Sequence, residues 1–454
     1  MSRQRQITFA PHGHVLTNAN VWSRDSRWIA FDVRSDPAGS RFDGARIAQV
    51  DVETGTVRTL YESGDGACCG VVTCHPKRDE VVFIRGPLWP THDWSYGPAR
   101  RQGVIANAAT GLATNLDARD LTPPFTPGAL RGGTHVHVFS GDGQWVSFTY
   151  EDHILDQLER EDANAQARRD VSSSLVSGTD IHPPRDLNQR NVGVSVAGRS
   201  VVVPATHSRN HDGSHFSVLV THTVNAPTPG SDEISRAFED AWVGDEGYLR
   251  GDGARQRRAI AFQGQVVTRD GRSISEPFIV DIPDDVTQAG DEPLQGTATR
   301  RPAPPRGTAQ RRLCDTSSRR FPGLQGPRHW LRSTPDGSRI AMLMRDDAGV
   351  VQVWTVSPRG GTPRQLTRDA WDIASAFTFS SDGRFITYIA DGSVFVADVV
   401  NGESRRLTER CEDASAPRPE ACVFSPDGRR IAFVRTMPAQ GAAWNQIFVV
   451  EDWK

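Results

Sequence analysis

The chain has 454 residues, of which 24% are charged, and a formal net charge of −3. It has neither the basic excess of a nucleic-acid binder nor an apolar run long enough for a membrane-spanning helix. Its 41 glycines, 29 prolines and 11 tryptophans, with few apolar stretches of helical period, favour many short strands joined by turns.

The opening "MSRQRQITFAPHGHVLTNAN" carries Arg3 and Arg5 but no apolar signal core and no small-residue cleavage site, so a cytoplasmic location is expected. The six cysteines form no CxxC pair and are unevenly placed, which points to reduced thiols. Lysine occurs only at positions 77 and 454, so positive charge rests on arginine, whose planar fork suits carboxylates.

"WSRDSRWIAFDV" (22–33) shows a strand end, a tight turn and an alternating apolar strand. "CHPKRDEVVFIR" (74–85) is a degraded copy, and "FSGDGQWVSFTY" (139–150) a clear one. "LDQLEREDANAQARRD" (155–170) then reads as a helix. "HFSVLVTHTV" (215–224) reads as the inner strand of a cryptic repeat, with "RRAIAFQGQVVTRDGRSISEPFIVDIP" (257–283) as its second and third strands. Between them, "SDEISRAFEDAW" (231–242) reads as a helix capped by Ser231. The Pro/Arg/Gly-rich stretch 284–327 lacks a strand pattern and reads as a long loop. Three more copies follow, "STPDGSRIAMLM" (333–344), "FSSDGRFITYIA" (379–390) and "FSPDGRRIAFVR" (424–435). Their turn positions 334, 380 and 425 lie 46 and 45 residues apart, within the ~40–50-residue period of four-stranded propeller blades. "QIFVVEDWK" (446–454) ends the chain as an outer strand, beside which "QITFAPHG" (6–13) can pair to close the ring.

The expected fold is therefore all-β, a single seven-bladed β-propeller over residues 1–454. Helical and loop insertions fall in its middle blades at about 155–185, 226–256 and 284–327, with an eighth blade in the last of these as the alternative.

A propeller turns repeat position into spatial position. Five residues before each turn stand Asn18, His135, His329, Ser375 and Glu420, and His215 begins the strand read as the cryptic inner strand. Three histidines in one ring would suit a divalent metal, Mn, Zn or Ca. A lone histidine at a strand start is more often a hydrogen-bonded packing residue, and His137, two residues beyond His135, has inter-blade packing as its competing role. His153 and Tyr150, ending the second strand of the same repeat, would be proton carriers. His207 and His211 fall in a loop entering the same mouth, while His12, His14, His75, His92, His182 and His222 read as structural or solvated. Arg131, Arg328 and Arg345, with Glu420, border the same ring and would hold an anionic ligand. No P-loop, dinucleotide fingerprint, nucleophile elbow or HExxH occurs, so no nucleotide cofactor is expected.

The "FSPDGRRIAF" units resemble the TolB-type propeller repeat. Their order, with "RNVGVSV", "GSHFSVLVTHT" and "PRHWLRSTPDG", resembles the YidR-like family of bacterial proteins over nearly the whole chain. The same repeat occurs in oligogalacturonate lyases, seven-bladed propellers that bind a divalent metal through histidines and a glutamine. Here the Gln-x-x-His-x-His pattern is broken, because Gly132 stands at the glutamine position of "GGTHVH".

Two functions are expected from different classes. One is a metal-dependent uronate-type lyase acting on a small anionic saccharide, with metal on His135, His215 and His329. Its catalytic residues would be His153, Tyr150 and Arg328, and its substrate would lie on Arg131, Arg345, His137 and Glu420. The other is a non-catalytic TolB-like propeller that binds a protein or glycan. Neither involves nucleic acid or membrane insertion.

Overall fold

A computed structural model describes residues 2–36, 39–171, 185–412, 414–439 and 441–454. Seven four-stranded antiparallel sheets stack as blades around one axis. Blade 1 is Gly13–Val15, Trp28–Arg34, Arg46–Asp51 and Val57–Glu62, and blade 2 is Cys69–Cys74, Glu80–Arg85, Gln102–Asn107 and Ala113–Asn115. Blade 3 is Gly132–Phe139, Trp145–Asp152, Asn191–Val196 and Phe216–Leu219. Blade 4 is Arg236–Trp242, Ala259–Val267, Ser273–Asp281 and Ala309–Arg312. Blade 5 is Arg332–Ser333, Ile340–Arg345, Val351–Val356 and Arg364–Gln365, and blade 6 is Thr378–Phe379, Phe385–Ala390, Ser393–Asp398 and Ser404–Arg406. Blade 7 combines Pro417–Phe424, Ile431–Ala439 and Ala442–Glu451 with Arg3–Gln6 from the start of the chain.

Two of the expected elements are corrected. Arg236–Trp242, read as helical, is the inner strand of blade 4, and the strand at Phe216–Leu219 is the outermost strand of blade 3. Short amphipathic strands carry no unambiguous period, and here pairing with Ala259–Val267 decides. The loop region 284–327 also contributes the outer strand of blade 4, Ala309–Arg312. The helix expected at 155–170 is present as His153–Val171, with Asp152 Oδ1 accepting from Leu155 N at 3.0 Å as its N-cap. The rest of that insertion, 172–184 including His182, lies outside the described residues.

The repeated turn has a specific chemistry. In blade 6 the Ser380 hydroxyl donates to Asp382 (2.5 Å) and accepts from Phe385 N (3.0 Å), while Gly383 takes the left-handed conformation with φ 69°. Ser425/Asp427, Ser140/Asp142, Thr334/Asp336 and Ser23/Asp25 repeat the hydroxyl-to-carboxylate bond. In the degraded copy His75 takes over, its Nδ1 accepting from the backbone of Lys77 and Arg78, both at 2.9 Å.

Apolar faces meet between blades. Ile29, Phe31 and Ala48 of blade 1 pack on Ala432, Val434 and Val449 of blade 7, and similar clusters join blades 3 to 4, 4 to 5, 5 to 6 and 6 to 7. The seam between blades 2 and 3 is more polar: Asp117 accepts from Gly103 N (2.9 Å), and a Cβ at Gly103 would lie 2.7 Å from both Asp117 Oδ1 and His137 Nε2. Among the described residues no helix is long and apolar enough to cross a membrane.

Burial of so many imidazoles has a consequence for pH. Unfolded histidines titrate near 6.5. In the fold, burial pushes His14, His137, His153 and His211 down to about 3, and His75, His215 and His329 down to about 4. Between these limits the unfolded chain binds protons that the native chain does not, so this stabilisation is full above about pH 6.5 and is lost towards pH 4. Asp117, pushed up to about 6 by burial, and Asp240, up to about 7, act in the opposite sense, as do Asp32, Asp245, Glu239 and Glu276, which burial also raises, but these carboxyls are fewer than the buried imidazoles. Calorimetry should show a lower unfolding midpoint at pH 5 than at pH 7; an equal or higher midpoint would contradict these burials.

Candidate functional site at the histidine mouth

Counted five residues back from each turn, Asn18, Gly70, His135, Phe238, His329, Ser375 and Glu420 hold the same position in the seven blades, although in blade 1 it is Val15 that pairs opposite Asp32. Asn18, His135 and Glu420, with Asp32, Arg328 and Trp330, line a cavity of about 280 Å³ at the mouth away from the Asp-Gly turns. Three of the expected site residues, His135, Arg328 and Glu420, are thus brought together.

His135 is only partly buried, and its imidazole has no hydrogen-bond partner among the described residues. Burial holds its pKa well below the ordinary imidazole value, reinforced by the guanidinium groups of Arg101, Arg328 and Arg190. At neutral pH it is therefore an uncharged base within a cationic field. Arg328 is fixed on the wall by a 2.7 Å bond from its Nε to Glu239 Oε1 and lies 4.6 Å over the Trp330 ring, yet its side chain remains 56% exposed. Burial raises the Glu239 pKa, with Arg328 opposing. Glu420 pairs with Arg418 at 2.6 Å.

The other expected site residues lie elsewhere. Arg131 is fully buried; its Nε donates to Asp152 (2.7 Å) and its other nitrogens to the carbonyls of Thr297 and Arg300. Tyr150, also buried, donates to the same Asp152 carboxylate at 3.1 Å. Both therefore serve the scaffold that starts the blade 3 helix. His153 is enclosed, edge-on to Trp94 at 4.6 Å, in a cluster with His207, Arg100 and Arg119. His211 joins that region through its backbone bonds to Arg119. His137 is buried in the seam between blades 2 and 3, so its packing role prevails over ligand contact. Arg345 is held by Gln325 (3.1 Å) and the Gly349 carbonyl. His215 stands at the start of the outer strand of blade 3, bonded to Ser214 Oγ at 2.9 Å, and does not reach the ring.

His329 keeps its ring position, but its imidazole is committed. Its Nδ1 bonds the Pro327 carbonyl (2.9 Å), and its Nε2 accepts from Leu343 N (3.1 Å). The reason lies in the ladder. The inner strand of blade 5 pairs only from Arg332, leaving Leu343 N–H without a strand partner, and His329 supplies the acceptor. In blade 6, where pairing stops at Thr378, Ser375 Oγ does the same for Ile389 N at 2.8 Å.

Sequence reasoning missed Glu239, Asp32 and Trp330. Glu239 was hidden in the supposed helix, although "WVGD" (242–245) follows the order of "FSGD" (139–142) and marks an inner strand before it.

With the ring geometry in hand, relationships to known proteins become informative. The chain is 45% identical over 434 residues, covering 95% of its length and 94% of the other, to the uncharacterized protein YidR of Escherichia coli (strain K12). The protein belongs to the YidR family. Residues 68–211 also match the family model described as "Protein of unknown function (DUF3748)". Among solved structures, an oligogalacturonate lyase from Vibrio parahaemolyticus superimposes with a TM-score of 0.54 at 9% identity, over 100% of this chain and 95% of that one. An oligogalacturonate lyase in complex with manganese gives 0.50 at 13% identity, over 99% and 98%. At these identities the likeness is one of fold.

The residues here do not reproduce a three-histidine metal centre. His215 is on an outer strand, both nitrogens of His329 are used, and no group of three or more His, Cys, Asp or Glu side chains with metal-binding geometry occurs among the described residues. The expectation of metal on His135, His215 and His329 is corrected accordingly.

A consequence follows for His329. Replacing it with Ala should destabilise the fold by about 1–3 kcal/mol, the cost of an unsatisfied buried backbone group. His329→Ser, imitating Ser375, should recover part of that loss in urea melts. An alanine variant as stable as the native protein would remove the structural assignment.

Proposed function

We propose that this protein binds an anionic saccharide at the histidine mouth and cleaves it by β-elimination at a uronate-type unit. The observation that carries the reading is the unpartnered, uncharged imidazole of His135 on a 280 Å³ cavity that Arg328 also lines, within the positive field of Arg101 and Arg190. Such a volume is at the small end of ligand pockets, which suits a short substrate. The family fold, shared with oligogalacturonate lyases, supports the choice of substrate class.

The chemistry has two demands. Removing the proton next to a uronate carboxylate builds a second negative charge on that group, which guanidinium groups aimed at it would stabilise. Arg328, whose Nε is held by Glu239 and whose guanidinium lies over Trp330, would receive the carboxylate on its two terminal nitrogens. His135 would accept the carbon-bound proton; the ring carbon–carbon double bond forms as the carbon–oxygen bond to the departing sugar breaks, and the released oxygen is protonated from solvent. No step here is assigned to a metal.

A second reading is favoured by one observation: His153 and Tyr150 are locked in the scaffold, leaving few proton carriers at the mouth. On that reading the same cavity binds a saccharide or a protein ligand without chemistry.

Incubation with oligogalacturonate separates the two, because elimination creates an unsaturated product with new ultraviolet absorbance. His135→Gln should abolish that signal while preserving binding by calorimetry. Arg328→Ala should weaken binding roughly 10- to 100-fold, the scale of a hydrogen bond to a charged group. The acid limb of kcat/KM should lie below pH 6.5, since the base has a lowered pKa. Binding without product would favour the second reading, and absence of binding would refute the lyase reading and leave of the second only a protein ligand.

A further inference from the structure

The channel is not continuous. Arg332, from the inner strand of blade 5, reaches across to Asn18 of blade 1, its Nη2 donating to the Asn18 side-chain oxygen and carbonyl. This bridge separates the histidine mouth, lined by Asn18, from a second cavity of about 370 Å³ on the face of the Asp-Gly turns, lined by Arg332.

The second cavity differs in chemistry. Its wall is mixed: Trp22, Phe139, Trp242, Phe379 and Phe424 are supplied by five different blades, and between them lie serine and threonine residues and Asp245. The ring around it is rigid: Trp22 Nε1 donates to the Val423 carbonyl (3.1 Å), and Trp242 Nε1 donates to the Val138 carbonyl (2.9 Å), each tying neighbouring blades together. At the inner end stands the Arg332 guanidinium. The residue is only 9% exposed and makes no direct ion pair among the described residues, although the Asp240 and Glu239 carboxylates act on its charge from further off. Its Nε and Nη1 have no protein partner there, and they are not among the sealed, unpartnered polar atoms, so they open on the cavity. Arginine keeps its charge in proteins. Burial pushes the Asp240 carboxyl up to about 7, so the counter-charge near Arg332 is incomplete at neutral pH, and an entering carboxylate would add to it and match the open edge of the fork.

We propose that the turn-face cavity is a second ligand site, which takes a small carboxylic acid with an apolar or aromatic body, its carboxylate on Arg332 and its body against the aromatic ring. The five aromatic rings set the class. A small hydrophilic anion would gain the charge contact but leave the tryptophan and phenylalanine surfaces without a partner. This site is independent of the histidine mouth, and its ligand need not be the substrate of the reaction proposed there.

The test is calorimetric titration of the full chain with benzoate, octanoate, acetate and inorganic phosphate. Tryptophan fluorescence provides a second readout, because Trp22 and Trp242 line the cavity. Benzoate and octanoate should bind saturably at one site per chain, at least tenfold tighter than acetate or phosphate. Arg332→Met should abolish that binding. Because this change also removes the Asn18 bridge, Ala241→Leu, which fills the cavity from blade 4 and leaves Arg332 in place, provides an independent block and should also remove binding. His135→Gln should leave it unchanged, which separates this site from the histidine mouth. No saturable binding by benzoate or octanoate, phosphate binding as tight as theirs, or binding that survives Ala241→Leu would overturn the proposal.

Discussion

Closure of the ring is the constraint on which the rest of the structure depends. A blade with two apolar faces can bury them only against two neighbours, so seven blades have no exposed end only if the last packs on the first. Here Arg3–Gln6 pairs with the final strand, Arg3 opposite Glu451 and Gln6 opposite Phe448, and Ile7 is buried in the core between blades 1 and 7. The two ends of the chain thus hold one sheet. Once the circle is closed, inner strands from distant parts of the sequence face one channel, and both cavities follow from that convergence.

Within that frame much of the polar chemistry repairs the backbone. Turns need an acceptor for the N–H that enters the second strand, and a serine or threonine hydroxyl held by aspartate usually supplies it. Where pairing of the inner strand stops early, a side chain takes up the orphaned donor. Imidazole and hydroxyl are interchangeable for this purpose, as His329 and Ser375 show in adjacent blades, and His75 replaces a hydroxyl at a turn. The abundance of histidine in this chain is therefore partly a matter of hydrogen-bond accounting. At the mouth, His135 presents an imidazole without a hydrogen-bond partner to the cavity, whereas His137, likewise unpartnered, is sealed in the seam between blades 2 and 3.

The two ends of the channel are charged in different ways. At the histidine mouth arginines are restrained by carboxylates, Arg328 by Glu239 and Arg190 by Glu151, so the site is cationic but balanced, and the imidazole among them stays neutral. At the turn face one guanidinium is hydrogen-bonded only to an uncharged amide, with the Asp240 and Glu239 carboxylates acting on it from further off. Asn18 connects them, lining one cavity while it holds the arginine of the other.

The repeat spacing, the turn motif and alternating strands determined the fold class and the number of blades, because each depends on local spacing and turn chemistry that the sequence displays directly. That the two ends of the chain close the ring was legible for the same reason, although the pairing strand is Arg3–Gln6 and not residues 6–13, and so was a helix at 155–170, which in the fold begins two residues earlier at His153. Ring position was legible wherever a turn was recognised, which placed His135 and Glu420 correctly. Blade 4 was not legible in full, since "SDEISRAFEDAW" satisfies a helical period as well as a strand, and only pairing with Ala259–Val267 chooses between them. That choice moved His215 to an outer strand and brought Glu239 to the mouth. Whether a histidine is free or engaged was likewise decided by tertiary structure. His135 and His329 occupy the same register, yet one meets open cavity and the other an unpaired backbone N–H, because the strand ladder extends further in blade 3 than in blade 5. A sequence specifies which groups can bond, but the partners they find depend on where each ladder ends in the closed ring.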